Sequence, residues 1–115
     1  VLLIEANHDP DMLARGRYPQ ALKRRIAGRS GHLSNAACGQ ALAKLVQSGV
    51  GRVLLGHLSA ENNTEELAFG TVADSLLQNG IRVSRDVQVA VAHRHKVSAY
   101  TRIAGLGETE RSVLP

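Results

Sequence analysis

At 115 residues the chain has room for one domain, and a 43% hydrophobic content argues against disorder. Its longest apolar runs, such as Val1 to Ile4, fall far short of the ~20 residues a membrane span needs, and no signal peptide is read at the start. The net charge of +4 is modest, and a single cysteine, Cys38, cannot close an internal disulfide, so a reducing, cytoplasmic setting is expected.

In chain order, Val1 to Ile4 reads as a buried strand that opens without a preceding turn, as if the chain had been entered just before it. Glu5 to Asp9 is a polar exit loop, and Asp9 caps a short helix with Pro10 at its first position. Gly16 ends that turn. Pro19 starts a second helix to about Ala27, with Ala21, Leu22 and Ile26 inward. Ser34 caps a third helix whose inward stripe is Cys38, Ala41, Leu42, Leu45 and Val46, the spacing of a one-sided helix.

Gly49 to Gly51 stops that helix, and Arg52 to Leu55 is the second strand. Asn63 is expected to cap the next helix, with Glu66 closing a capping box. Its inward stripe is Phe69, Val72, Ala73, Leu76 and Leu77, and Asn79-Gly80 is a C-cap pair. Ile81 to Val83 is a short strand, and Asp86 to Ala92 alternates like a half-exposed one. Lys96 to Ile103 offers a last strand, and Gly105 to Pro115 a loose tail. The order predicts an α/β layered domain.

The chemistry-bearing residues gather at element ends. The tetrapeptide Gly-His-Leu-Ser occurs twice, at Gly31 to Ser34 and at Gly56 to Ser59. His57 follows a buried strand and a glycine, a placement that suits a metal ligand or a general acid/base. A backbone-bonded loop histidine is the plainer alternative. His32 precedes a helix start, where an anion is favoured, but by itself it reads better as a solvent-facing loop residue. Glu5 can orient a histidine, as supporting carboxylates do. His8 stands in the same loop, between Glu5 and the capping Asp9. His93 and His95 have a clamp spacing, but Arg94 and Lys96 flank it and weigh against a cation. Ser34 and Ser59 read as caps or turn hydroxyls, and Cys38 as core.

Arg15, Arg17, Lys23, Arg24, Arg25 and Arg29 fall together with no intervening Asp or Glu. This basic run suits phosphate or nucleic acid as well as it suits a solvated helix face. C-x-x-C, P-loop and dinucleotide-binding glycine patterns are absent.

The succession LLIEANHDPDML, YPQALKRRIAGRSGHLSN and RVLLGHLSAENN resembles the C-terminal half of metallo-β-lactamase-fold hydrolases, in the WalJ/YycJ-type subgroup related to RNase Z-like nucleases. The resemblance implies half of an αββα sandwich over residues 1–103, with a mixed sheet, helices on one face and a tail at 104–115. It implies that His57 is a zinc or manganese ligand, that His32 acts near the scissile phosphate, and that Glu5 supports His32. The family's H-x-H-x-D-H cluster is missing, and a zinc site takes about three protein ligands at the least. The chain is therefore expected to be a fragment or truncated relative, inactive alone, with no metal bound by itself. The expected partners are nucleic acid or another phosphodiester, not a membrane. The alternative reading is a non-catalytic module that binds nucleic acid, or that pairs with another copy or a missing half-domain through an exposed sheet edge.

Overall fold

A computed structural model describes residues 1–28 and 31–92, together with the backbone of 111–113. Strand β1 (Leu2–Glu5) lies at the centre and pairs in parallel with β2 (Arg52–Gly56), which pairs in parallel with β3 (Gln88–Val91). A short strand β4 (Arg111–Val113) joins the far side of β1, giving the order β3-β2-β1-β4. All described pairings are parallel, which corrects the expected mixed sheet. Within the stretch read as a tail, residues 111–113 are thus a strand: the edge of β1 offers unpaired backbone groups, and an extended segment satisfies them. The expected strand at 96–103, the tail boundary at 103–104, His93, His95 and Arg29 lie outside the described residues.

Between β1 and β2 come α1 (Pro10–Arg15), α2 (Gln20–Ala27) and α3 (Asn35–Gln47), and between β2 and β3 comes α4 (Glu65–Gln78). Parallel neighbours need crossovers, and crossovers that run the same way along a sheet bring their helices to the same face. Accordingly α3 and α4 pack together over Leu2, Ile4, Val53, Leu55 and Val87 to form the core. Leu54 is also fully buried but lies outside that cluster, in register with Leu3 on one side and Ala90 on the other.

The local signals hold where they are local. The Asp9 carboxylate accepts from Met12 N at 3.0 Å with Pro10 at the first turn, and the Ser34 hydroxyl accepts from Ala37 N at 3.1 Å. Cys38 and Leu42 are fully buried, as the α3 stripe requires. Asn79 and Gly80 end α4, with Gly80 at a φ of +76°.

Four further expectations change. The cap of α4 is Thr64, whose hydroxyl accepts from Leu67 N at 3.1 Å, while Asn63 is buried and used elsewhere. The buried face of α4 is Ala68, Val72, Ser75 and Leu76, and it leaves Phe69 and Leu77 exposed. Close helix approach explains the rotation: a side-chain carbon on Gly39 of α3 would come within 2.5 Å of Ser75 Cβ, so small residues must face the seam. On α2, Ala21 is exposed and Leu22 and Ile26 are only half-buried. Ile81 to Val83 makes no strand. Asp86 accepts from Arg82 N at 2.8 Å and Ser84 N donates to Val87 O at 2.7 Å, closing a turn with Ser84 at a φ of +74°. Among the described residues no helix is long and apolar enough to cross a membrane.

Candidate functional site

The parallel register sets Glu5 beside Gly56, so both strands leave the sheet at the same carboxyl edge. The next residue after Gly56 is His57, which takes a φ of +57°. The unusual backbone thus falls on the histidine rather than on the glycine before it. The two exit loops are laced together: Ala6 N donates to Gly56 O at 3.0 Å, Ser59 N to Asn7 O at 2.7 Å, and Asn7 Nδ2 to His57 O at 2.8 Å. The Ser59 hydroxyl accepts from Asn62 N at 3.1 Å, the turn role expected of it.

His32 reaches the same edge from the loop before α3. His32 N donates to Ile26 O at 2.9 Å, Asn7 N to Leu33 O at 2.8 Å, and Asn35 N to His8 O at 2.8 Å. Gly31 is needed for this path, because a side-chain carbon there would collide with the carbonyl oxygens of Ile26 and Arg25 at the end of α2.

Glu5 is the hub. Its carboxylate is buried, with one oxygen accepting from Leu33 N at 2.9 Å and the other from His32 Nδ1 at 2.7 Å. His57 Nδ1 stands 3.7 Å from that second oxygen. The two repeated-motif histidines therefore converge on one carboxylate. An ionised carboxylate only accepts, so the His32 proton sits on Nδ1 and Nε2 is the ring's second working nitrogen. Both imidazoles remain about half exposed.

Two neighbours complete the site. His8 is almost fully buried, with Nδ1 3.2 Å from Asn7 Oδ1. Burial first, and the nearby His32 second, push its pKa below the ordinary 6.5, against the pull of Glu5 and Asp9. Cys38 lies beneath. Burial, with the Glu5 charge as a lesser cause, pushes its thiol up to about 12, so it is core and not a nucleophile.

Asn63, read in the sequence as a helix cap, pairs instead with Asn35, a residue the sequence reading did not single out. Asn63 Nδ2 donates to Asn35 Oδ1 at 2.9 Å and to Ala6 O at 2.9 Å, while Asn35 Nδ2 donates back to Asn63 Oδ1 at 2.8 Å. This buried ring ties the exit of β1 to the starts of α3 and α4. Only its reciprocal partner gives it meaning, and nothing local signals that partner.

The basic residues divide. Arg17 pairs with Glu61 at 3.2 Å, Lys23 donates to Ala14 O at 2.8 Å and Arg15 to Asp11 O at 3.4 Å. The side chains of Arg24 and Arg25, exposed on the last turn of α2, make no hydrogen bond or ion pair among the described residues.

The described residues do not fit a complete metal centre. No three His, Cys, Asp or Glu side chains among them converge to hold an ion, and the Glu5 oxygens are engaged by His32 and Leu33. His57 can offer one nitrogen.

A left-handed backbone at a non-glycine residue costs on the order of 1–2 kcal/mol. His57→Gly is therefore expected to be more stable than His57→Ala by about 1 kcal/mol in urea denaturation. Equal midpoints for the two variants would contradict the conformation at this position.

Sequence comparison gives the site a context. The chain is 42% identical over 87 residues to the exodeoxyribonuclease WalJ of Streptococcus pneumoniae serotype 2 strain D39, covering 76% of this chain and 32% of that protein. The same figures hold for WalJ of strain R6. Against the exodeoxyribonuclease YycJ of Bacillus anthracis, identity is 37% over 87 residues, covering 76% of this chain and 33% of that protein. No protein-family profile matches the chain, and no solved structure matches it. The chain spans about a third of the length of these curated relatives. It is homologous, over most of its own length, to part of the WalJ and YycJ exodeoxyribonucleases.

Proposed function

We propose that this chain supplies the C-terminal part of a metallo-β-lactamase-fold phosphodiesterase that acts on DNA in the cytoplasm. The observation that carries the reading is the convergence of His32 and His57 on the buried Glu5 at the carboxyl edge of the sheet. Similarity to exodeoxyribonucleases supports DNA as the substrate class. The sheet face bearing Leu3 and Ala90, both only half-buried, lies opposite α3 and α4, where a second sheet of the sandwich would pack.

Among the described residues His57 is the metal ligand, for zinc or manganese, and Glu5 supports His32, as a carboxylate behind a working histidine does. One histidine ligand among the described residues cannot hold either metal, and the chain alone is expected to hydrolyse nothing. Its own chemical contribution is His32. With Nδ1 held by Glu5, the ring can carry a proton at Nε2 and give it to a departing oxygen, while the carboxylate offsets the imidazolium charge. Arg24 and Arg25 attract the phosphate backbone. Their lack of side-chain partners among the described residues also favours a second reading, a non-catalytic DNA-binding module, and β3, at the edge of the described sheet, leaves room for pairing with another copy.

A chimera separates these readings. This chain, grafted in place of the matching third of the pneumococcal WalJ, is expected to retain DNA hydrolysis. His57→Ala in the chimera should abolish it, and Glu5→Gln should lower it about 10- to 100-fold. A folded chimera that binds DNA but does not cleave it, or one indifferent to His57→Ala, overturns the catalytic reading.

A further inference from the structure

α2 has an amphipathic pattern, yet none of its residues is buried. Leu22 and Ile26, the face expected to point inward, instead line a recess of about 410 Å³ together with Tyr18, Arg25, Gly31 and His32. This volume falls in the range that holds a small organic ligand. Its walls combine an aromatic ring, two aliphatic side chains, a guanidinium without a partner among the described residues and the His32 imidazole that Glu5 fixes from behind. A purely apolar occupant would leave Arg25 unanswered, and a purely ionic one would waste Tyr18, Leu22 and Ile26. A nucleotide answers both, because its base has an apolar π-face and its phosphate a negative charge.

We propose that this recess binds one unstacked base of single-stranded DNA, with Tyr18 as the stacking platform and Arg25 on the adjoining phosphate. A base inside a duplex could not enter, since its faces are taken by its neighbours. The proposal rests on the DNA-directed reading above and deepens it: the recess borders His32, so the seated nucleotide lies next to the residue assigned to the leaving oxygen. Tyr18 and Leu22 would then set the preference for a frayed or single-stranded end.

The test uses the full chain without metal, in a chelator, and a short single-stranded oligonucleotide carrying the fluorescent base 2-aminopurine at one terminus. Stacking should change its emission on binding. Tyr18→Ala is expected to weaken binding roughly 10-fold, within the range of one lost base–aromatic stack, and to remove the emission change. Tyr18→Phe should preserve both. Arg25→Ala should weaken binding and reduce the salt slope by about one charge. Should Tyr18→Ala fail to fold, Leu22→Gln keeps the charge and makes the wall polar, with the emission change again expected to fall.

The proposal is overturned if the oligonucleotide does not bind, if a folded Tyr18→Ala binds and reports like the parent chain, or if Tyr18→Phe loses as much as Tyr18→Ala. Failure here with an active chimera removes the base site and leaves the catalytic reading standing. Tyr18-dependent binding with an inactive chimera does the reverse.

Discussion

Replacing Glu5 with Ala is expected to destabilise the fold by about 3 kcal/mol, read from urea denaturation. The carboxylate is buried and accepts two hydrogen bonds, from Leu33 N and from His32 Nδ1. Hydrogen bonds to a charged group contribute roughly 1.5–3 kcal/mol each, and losing the acceptor leaves a backbone N–H without a partner. His32 is half exposed, so solvent screening trims its share. The Leu33 contact then carries most of the cost. Glu5→Gln should lose less, about half as much, because an amide oxygen can still accept from Leu33 N. Its amide N–H groups, however, face a ring nitrogen that was donating, and the His32 tautomer must change. If Glu5→Ala stays within about 1 kcal/mol of the parent, burial of the carboxylate already offsets its bonds. The hub would then be tolerated rather than stabilising.

The amide ring gives the second large effect. Asn63 uses its whole amide: Oδ1 accepts from Asn35 Nδ2 and from Thr64 N, and Nδ2 donates to Asn35 Oδ1 and to Ala6 O. Asn63→Ala strands Ala6 O and both polar atoms of Asn35 in the interior, at about 1–3 kcal/mol for each group that water cannot reach. Local relaxation lowers the sum, and a loss of about 3–4 kcal/mol is expected. Asn35→Ala strands fewer groups and should lose about 2 kcal/mol. The double variant should be less destabilised than the two losses added, with a coupling of 0.5–3 kcal/mol typical of direct partners. Strict additivity would show that the two amides do not act as a unit. Because Ala6 follows Glu5 and Asn35 opens α3, the same variants should also loosen His32 against Glu5.

How much of this was legible beforehand follows from distance along the chain. The cap at Asp9-Pro10, the cap at Ser34 and the stop at Asn79-Gly80 each join residues within one helical turn. Such signals are complete in the local sequence. The cap of α4 failed by one residue because Asn63, an equally good capper, was claimed by Asn35 from another helix. Both residues can cap, and only the fold decides which one is free to do so. The buried face of α4 failed for a related reason. Hydrophobicity points Phe69 and Leu77 inward, but the α3–α4 seam at Gly39 and Ser75 admits only small side chains.

The sequence by itself determined the α/β alternation, the ends of β1 and β2 and the candidates Glu5 and His57, since each follows from residue type and periodicity over a few positions, while His32 became a candidate through the family resemblance. Only the tertiary structure decided that the two histidines share one carboxylate. That arrangement needs the parallel register of Glu5 with Gly56, a left-handed backbone at His57, and a loop pressed onto the end of α2 by a glycine. Each of these joins residues far apart in the chain. The energy that selects them comes from packing and buried hydrogen bonds, which exist only once the chain has folded.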